Sequence, residues 1–225
     1  MPSTPSHAAK QRIYAQFARI GKALASPARL ELLDVLVQGE RSVDALAAAT
    51  ELSIANASQH LQVLAGARLV ESRRDAQRVL YRLADPSVEV LWQTLRRTAE
   101  HRLAELDAVA REYLVHRDEL EPIDRVELTR RMRAGSVTLI DVRPVEEFAQ
   151  GHLPGAISVP LDEVRTWAKR APKRAQVVAY CRGPYCVWAL EAVEVLADHG
   201  IHAARLEDGV GEWRSAGLPI ERSAS

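Results

Sequence analysis

The chain has few cysteines, no long apolar run and no surplus of charge of either sign. Its two cysteines, Cys181 and Cys186, lie in one short segment. Close cysteine pairs in a reducing compartment more often do redox or metal chemistry than form a structural disulfide. No apolar run approaches the roughly 20 residues needed to span a bilayer, and the polar residues 1–10 lack the apolar stretch of a signal peptide. We therefore expect a soluble cytoplasmic protein without a membrane partner.

Acidic and basic residues balance at 30 each, so the chain as a whole has no attraction for polyanions. Local charge matters more for DNA binding than the sum. Residues 68–82 contain five arginines against one glutamate and one aspartate. This segment suits either a DNA-contacting surface or a solvated charged hairpin.

The length and composition are typical of two globular domains. The 225 residues leave room for two domains of about 100–200 residues each, and no internal repeat or low-complexity tract is present. Around Leu120–Pro122 continuous helical spacing gives way to alternating strand-like and helix-like segments. We predict a mainly α domain over residues 1–119 and an α/β domain over residues 120–225.

Helical spacing and capping residues predict four helices followed by a hairpin. Pro27 suits the first turn of the second helix, and Ser42 and Ser53 can cap the third and fourth. Two β-leaning runs around a polar turn at residues 74–77 indicate the hairpin. The inward-facing residues expected on the fourth helix are Ile54, Leu61 and Leu64.

One long helix is predicted after Asp85–Pro86, with an apolar stripe from Val88 to Tyr113. A small helical domain has too little core to cover so long a stripe. We therefore expect part of it to form a dimer interface.

Two short helices before an arginine-rich hairpin form a layout that reads DNA. The second helix enters the major groove, and the hairpin reaches phosphates or the minor groove. Asn and Gln can contact adenine with two hydrogen bonds, and Ser can bond to bases or phosphates. The candidate DNA contacts on the fourth helix are Asn56, Ser58, Gln59 and His60. The alternative is that these are ordinary exposed polar residues, with His60 in a packing or capping role.

From Ile13 to Tyr113 the chain resembles the ArsR/SmtB family of winged helix-turn-helix repressors. The resemblance rests on residues 23–36, 42–70 and 73–83. It implies a homodimer that binds palindromic double-stranded operator DNA and is released by an inducer. It also places three arginines on the wing, namely Arg73, Arg74 and Arg78.

Metal sensing, which many members of that family perform, is not expected here. The third helix lacks the cysteines of one family site. For a second family site on the last helix, the chain offers His101 with Glu100 and Glu105, and zinc usually requires more nitrogen or sulfur ligands. We expect no metal and no cofactor.

The second domain is predicted to contain a parallel sheet with Cys181 at the end of a strand. β-branched runs at residues 137–142 and 175–181 alternate with a helix that ends at Gly200. Catalytic groups in such sheets gather at the carboxyl ends of strands, and the N–H groups of the next helix favour an anion. A thiol there, next to Arg182, should have a lowered pKa and be a better nucleophile. The alternative is an inert buried cysteine.

Residues 139–163 and 206–221 resemble the signature segments of single-domain rhodaneses, and the resemblance covers about Ile123 to Ile220. It implies that Cys181 accepts sulfur as a persulfide, which the loop N–H groups stabilise. Within this fold we expect structural roles for Asp141 and Arg143 as an ion pair and for His152 and Trp213 as scaffold residues.

The loop Cys181–Cys186 departs from the rhodanese pattern Cys-Arg-x-Gly-x-Arg. It consists of Cys181, Arg182, Gly183, Pro184, Tyr185 and Cys186. Its short length favours sulfur over phosphate or arsenate. Pro184 replaces a glycine and removes an N–H donor, and Cys186 replaces an arginine that would pair with thiosulfate. A second thiol can instead attack a persulfide or sulfenate on Cys181, unless Cys186 is only a buried residue at the start of a helix.

These features predict a repressor that senses persulfide, polysulfide or thiol oxidation through Cys181 and Cys186. Two alternatives remain open. One is a sulfurtransferase tethered to a DNA-binding domain, with weak activity toward thiosulfate or persulfide. The other is a sensor of arsenite or another soft metal that binds to the two thiolates.

Overall fold

The structure is a computed structural model that describes residues 5–114, 122–172 and 175–223. It contains two compact units, Met1–Leu95 and Arg96–Ser225. Residues 120 and 121 of the predicted linker Leu120–Pro122 lie outside the described residues, and the predicted boundary at residue 120 stays a prediction. None of the described helices is long and apolar enough to cross a membrane.

The first unit is mainly helical and confirms the predicted winged helix-turn-helix arrangement. Ser42 and Ser53 cap their helices as expected, since their hydroxyls accept hydrogen bonds from backbone N–H groups at 3.2 Å. The elements of this unit, the last of which continues beyond Leu95, are α1 (Pro5–Leu24), α2 (Pro27–Val37), β1 (Arg41–Ser42), α3 (Val43–Ala49), α4 (Ile54–Gly66), β2 (Val70–Asp75), β3 (Arg78–Leu83) and α5 (Pro86–Arg102).

The core of this unit lies between α2, α3 and α4. Its fully buried leucines are Leu32, Leu33, Leu46, Leu61 and Leu64. The prediction that Ile54 faces inward is wrong, because its side chain is 56% exposed. Ile54 is the first residue of α4, and the buried stripe of the helix begins one turn later at Ala57.

The predicted hairpin forms a small antiparallel sheet in the order β1-β3-β2. Asp75 pairs with Arg78 at its end, so the turn consists of two residues. Ala76 in that turn has a φ of 52°, in the left-handed region. Asn-Gly usually provides the positive backbone angle of such a turn. Here Ala76 and Gln77 occupy the turn instead, so the sequence signal for it was weak.

The helix predicted from residue 86 to residue 113 is two helices. α5 ends at Arg102, and α6 spans Ala104–Tyr113. Leu103 between them has φ −108° and ψ 95°, outside the helical region. No glycine or proline marks this position, and the apolar spacing continues through it, so periodicity alone could not reveal the break.

The second unit contains a rhodanese-like α/β layer structure, as predicted. After α6 its elements are β4 (Pro122–Ile123), α7 (Arg125–Arg133), β5 (Thr138–Asp141), α8 (Val145–Gln150), β6 (Ile157–Ser158), a 3-10 turn (Leu161–Glu163), α9 (Val164–Ala168), β7 (Val177–Tyr180), α10 (Trp188–Asp198), β8 (Ala203–Leu206) and α11 (Val210–Ser215). The strands form a five-stranded parallel sheet in the order β4-β8-β7-β5-β6.

Apolar layers cover both faces of this sheet. Residues of α9 and α10 pack on one face, and residues of α7 and α11 pack on the other. All four residues of the central strand β7 are buried. This layering brings the end of β7, where the cysteine loop begins, to the edge at which ligands of parallel sheets bind.

Candidate functional site

The cysteine loop connects the central strand β7 to α10. Cys181 follows the last residue of the strand and is 2% exposed, and Cys186 is half-buried. The loop folds back on itself, because the N–H of Cys186 donates to the carbonyl of Gly183 at 3.2 Å. The position at the carboxyl end of a central parallel strand is the one that the sequence predicted.

Cys181 and Cys186 are joined by a disulfide, with their Cα atoms 6.4 Å apart. This Cα separation lies within the range that a disulfide bridges without backbone movement. The fold therefore holds the two cysteines at a spacing that suits a disulfide. The second thiol, which replaces the arginine of the usual rhodanese loop, lies within bonding reach of the first.

Arg182 is held by a carboxylate and an aromatic ring. Its Nη2 donates to Glu147 Oε1 at 2.6 Å, and its guanidinium carbon lies 4.4 Å from the centre of the Trp188 ring. Glu147 is fully buried. The charge of Arg182 is compensated by Glu147, so this arginine anchors the loop to α8. Its predicted effect on the pKa of the Cys181 thiol stays a prediction.

A buried ion pair supports the same edge of the sheet, as predicted for Asp141 and Arg143. Both side chains are fully buried, and Arg143 Nη2 lies 2.5 Å from Asp141 Oδ2. Burial, followed by the nearby Asp141 carboxylate, raises the pKa of Tyr180 well above its usual range. Its hydroxyl remains neutral and accepts a hydrogen bond from the N–H of Leu153 at 3.0 Å.

The predicted scaffold residues lie in the second unit's interior. His152 stacks on Phe148 with ring centres 3.7 Å apart, and its Nδ1 lies 2.8 Å from the Phe148 carbonyl oxygen. Trp213 Nε1 donates to the carbonyl of Pro219 at 2.9 Å. Both residues support the fold around the loop.

The loop also contacts the end of α5. The Tyr185 hydroxyl donates to Glu100 Oε1 at 2.9 Å. Arg96, one turn earlier on α5, donates to Glu212 Oε1 at 2.7 Å. Gly183 has a φ of 156°, and a Cβ there would lie 3.3 Å from Glu212 Oε2. Loop, α5 and α11 are therefore packed closely at this point.

Two residues that the sequence analysis did not single out shape the loop. Gly209 packs so tightly that a Cβ would lie 2.2 Å from the Arg182 carbonyl oxygen. Arg205 of β8 is 1% exposed, and its Nη1 donates to the Pro184 carbonyl at 3.2 Å. A glycine before a short helix and an arginine within a strand-like run were the only signals of these roles.

The candidate DNA-reading residues of α4 differ in their exposure. Asn56 and Gln59 are exposed, and Ser58 and His60 are half-buried. The opposite side of α4 is buried through Ala57, Leu61 and Leu64. The helix therefore presents polar side chains while its apolar stripe holds it to the core.

The wing arginines differ in their partners. Arg73 forms bidentate hydrogen bonds with the Glu40 carboxylate, the shorter of which is 2.7 Å. These bonds hold the pKa of Glu40 below its usual value. Arg74 and Arg78 are exposed near the tip of the hairpin. Glu40 therefore competes with any phosphate for Arg73.

No group of three or more His, Cys, Asp or Glu side chains forms a metal-binding cluster in the described ranges. Glu100, one residue of the metal site considered from the sequence, instead accepts the hydrogen bond from Tyr185.

Comparisons with known proteins agree with this architecture. Residues 24–73 match the family model described as Helix-turn-helix domain, and residues 124–216 match Rhodanese-like domain. The HTH-type transcriptional regulator Rv0324 of Mycobacterium tuberculosis is 44% identical over 215 residues, which cover 96% of this chain and 94% of that protein. A protein named Sulfurtransferase from Allochromatium vinosum is 32% identical over 100 residues, covering 44% of this chain and 92% of that protein.

Among solved structures, the homodimeric winged helix-turn-helix DNA-binding domain of Mb0332 from Mycobacterium bovis is similar. It is 40% identical, covers 47% of this chain and 94% of that fragment, and has a TM-score of 0.41. The fold and the loop define a helix-turn-helix DNA-binding protein with a rhodanese domain. The chain belongs to the ArsR-type helix-turn-helix transcriptional regulators that carry a rhodanese-like domain.

Proposed function

We propose that this regulator is a dimeric repressor that loses affinity for its operator when polysulfide or persulfide oxidises Cys181 and Cys186. The observation that carries the proposal is the cysteine pair at the end of β7, with its two sulfurs within bonding reach. A rhodanese loop with an arginine in place of Cys186 would retain a persulfide. A second thiol can instead convert it into a disulfide.

The chemistry has two steps. The Cys181 thiolate attacks a sulfane sulfur of a polysulfide, and the polysulfide chain leaves as an anion shorter by one sulfur. The Cys186 thiolate then attacks the sulfur of Cys181, the persulfide bond breaks and hydrosulfide leaves. The two cysteines lose two electrons, and the sulfane sulfur gains them. A dithiol reductant reverses the change by thiol–disulfide exchange.

Contacts along α5 support a route from the loop to the DNA-binding unit. In the second unit, Tyr185 of the loop donates to Glu100 near the end of this helix. In the first unit, Trp92 Nε1 of the same helix donates to Asp34 Oδ1 of α2 at 2.9 Å. The Tyr185 contact is present in the disulfide form, and its formation or loss with the redox state of the cysteine pair would act on a helix that also packs in the helix-turn-helix unit.

Exposed apolar side chains support a dimer. On α1, Ile13, Tyr14 and Phe17 are 56%, 56% and 64% exposed. A contiguous apolar patch on a helix is typical of an interface. A second copy of the chain that covers this face would place two copies of α4 on the two halves of a palindromic operator.

The wing and α4 supply the DNA contacts in this proposal. Asn56, Ser58 and Gln59 would contact base edges, His60 would lie beside them, and the wing would contact phosphates through Arg73, Arg74 and Arg78. Replacing a base-contacting residue should relax sequence preference, and replacing a phosphate-contacting arginine should weaken binding to all sequences.

The test combines peptide mass spectrometry with operator binding. Operator DNA is selected from random duplexes with the reduced protein, which is then treated with polysulfide. We expect a Cys181–Cys186 disulfide and at least tenfold weaker operator binding. In Cys186→Ser the reaction should stop at a persulfide on Cys181, and the variant should remain bound to the operator. Cys181→Ser should not respond to polysulfide. Unmodified cysteines, or modification without a change in DNA affinity, would overturn the proposal.

The second candidate is a working sulfurtransferase tethered to a DNA-binding domain. The rhodanese match and the similarity to the A. vinosum protein favour it. Here the Cys181 thiolate would attack the sulfane sulfur of thiosulfate, sulfite would leave, and a thiol or cyanide would take the sulfur from the persulfide. Steady-state turnover with thiosulfate and other sulfur donors separates the candidates. High turnover that survives Cys186→Ser supports the enzyme and argues against the switch.

A further inference from the structure

The altered loop lacks the second arginine that rhodanese loops use for the anion, and three arginines lie in it or near it. Arg182 is bound to Glu147, and Arg96 is bound to Glu212. Arg205 on β8 contacts the loop backbone by donating a hydrogen bond to the Pro184 carbonyl.

The strand register places Arg205 on the same face of the sheet as Cys181. Arg205 pairs with Ala179 of β7, and Cys181 follows two residues after Ala179. Residues two apart on a strand point to the same face. The side chains of Ala179 and Cys181 pack in the layer formed with α10, so the Arg205 side chain extends along this layer toward the loop.

Arg205 is almost completely buried, which makes its position unusual for a charged residue. Its side chain is 1% exposed, and its Nη1 lies 3.2 Å from the Pro184 carbonyl oxygen. Burial of a guanidinium is costly unless it serves as a hydrogen-bonding or ion-pairing group. Its hydrogen bond holds the loop at Pro184, a residue that has no backbone N–H to donate.

We propose that Arg205 is a positioning residue of the cysteine loop, which braces the loop at Pro184 and favours the anionic thiolate and persulfide of Cys181. It thereby takes over the role of the loop arginine that Cys186 replaced. This inference deepens the proposed sulfur site and rests on Cys181 being its reactive thiol. It does not require that the loop controls DNA binding.

Other charged groups around the loop fit this assignment. From α8, Glu147 faces Arg182, and from α11, Glu212 faces Arg96 and accepts from the N–H of Gly209. From α5, Glu100 accepts from the Tyr185 hydroxyl. Asp208, two residues before α11, forms an ion pair with Arg125 of α7 at 2.9 Å. Each of these carboxylates therefore has a hydrogen-bonding or ion-pairing partner of its own.

The test is a pH titration of the single thiol that remains in a reduced Cys186→Ser background. Far-ultraviolet thiolate absorbance reports Cys181 alone, because the chain has no third cysteine. Arg205→Gln removes the charge and keeps an amide donor on the side chain. We expect it to lower the thiolate-to-thiol ratio at a given pH about tenfold, and Arg205→Lys to restore most of it.

A purely structural role gives a different result. If Arg205 only holds the fold, the glutamine and lysine variants should change thermal stability and leave the titration midpoint in place, which overturns the proposal. Equal midpoint shifts in both variants overturn it as well. A midpoint shift without any polysulfide effect on DNA would support Arg205 and refute the repressor switch, so the two failures are distinguishable.

A second variant tests the idea with Arg205 intact and does not depend on the folding of Arg205 variants. Cys186→Arg restores the family-like arginine in the loop. If Arg205 already supplies the positive charge, this change should move the Cys181 midpoint less than Arg205→Gln does. A larger shift from Cys186→Arg would show that the site lacked such a charge and would overturn the proposal.

Discussion

Removal of the Tyr185 hydroxyl tests the link between the cysteine loop and α5. In the disulfide form this hydroxyl donates to Glu100 at 2.9 Å, and both groups are half-buried. A hydrogen bond to a charged acceptor contributes about 1.5–3 kcal/mol. Partial exposure places this one near the lower end, and about 1.4 kcal/mol corresponds to a tenfold change in an equilibrium constant.

We therefore predict that Tyr185→Phe reduces the ratio of operator dissociation constants between the disulfide and dithiol forms by up to about tenfold. Cysteine oxidation by polysulfide should proceed as in the parent chain. Fluorescence anisotropy with labelled operator measures both forms. Glu194→Gln, at an exposed carboxylate on α10, is the control and should leave the ratio unchanged. A Tyr185→Phe ratio within twofold of the parent value would refute this route.

The remaining predictions concern the wing and the stability of the second unit. Glu40→Gln should strengthen operator binding several-fold and steepen its salt dependence, because Arg73 becomes available to a phosphate. Asp141→Asn should lower the free energy of unfolding by about 3–5 kcal/mol in urea titration, because it removes the carboxylate charge that pairs with the fully buried Arg143. Hydrogen bonds from two arginines on its own helix lower the pKa of Glu127 from 4.5 to about 2. Its contribution to stability is therefore present above pH 4.5 and lost as the pH falls toward about 2, and Glu127→Gln should flatten that part of the stability profile.

Each of these predictions has its own control. Glu71→Gln, at a second wing ion pair with Arg82, shows whether any lost carboxylate on the wing increases affinity. If Glu40→Gln and Glu71→Gln increase operator affinity equally, the effect comes from net charge alone. Unchanged urea unfolding in Asp141→Asn would contradict the account of the buried pair. If the stability of Glu127→Gln falls with acid as it does in the parent chain, the Glu127 carboxylate does not contribute to the pH dependence.

Much of the first unit could be predicted from short-range signals. Ser42 and Ser53 cap helices because a hydroxyl in an extended residue reaches the N–H three residues ahead. The break at Leu103 could not be predicted, since no residue there restricts the backbone. The exposure of Ile54 depends on where the core ends, which periodicity does not report.

At the site, the sequence identified the cysteine loop but not what holds it. Cys181 and Cys186 are five residues apart in the chain, so their proximity is a local property. Arg205 and Gly209 come from a different strand and its following turn, and their roles appear only when β8 lies beside β7. Such contacts depend on the register of neighbouring strands, which cannot be derived from a single sequence.

The central claim is that the redox state of one cysteine pair sets operator affinity. The most direct test titrates the reduced full chain with polysulfide and follows two quantities in the same samples, the Cys181–Cys186 disulfide fraction by mass spectrometry and the DNA-bound fraction by anisotropy. We predict that DNA is released in proportion to disulfide formation and is rebound after reduction. Complete disulfide formation with DNA still bound would contradict the claim.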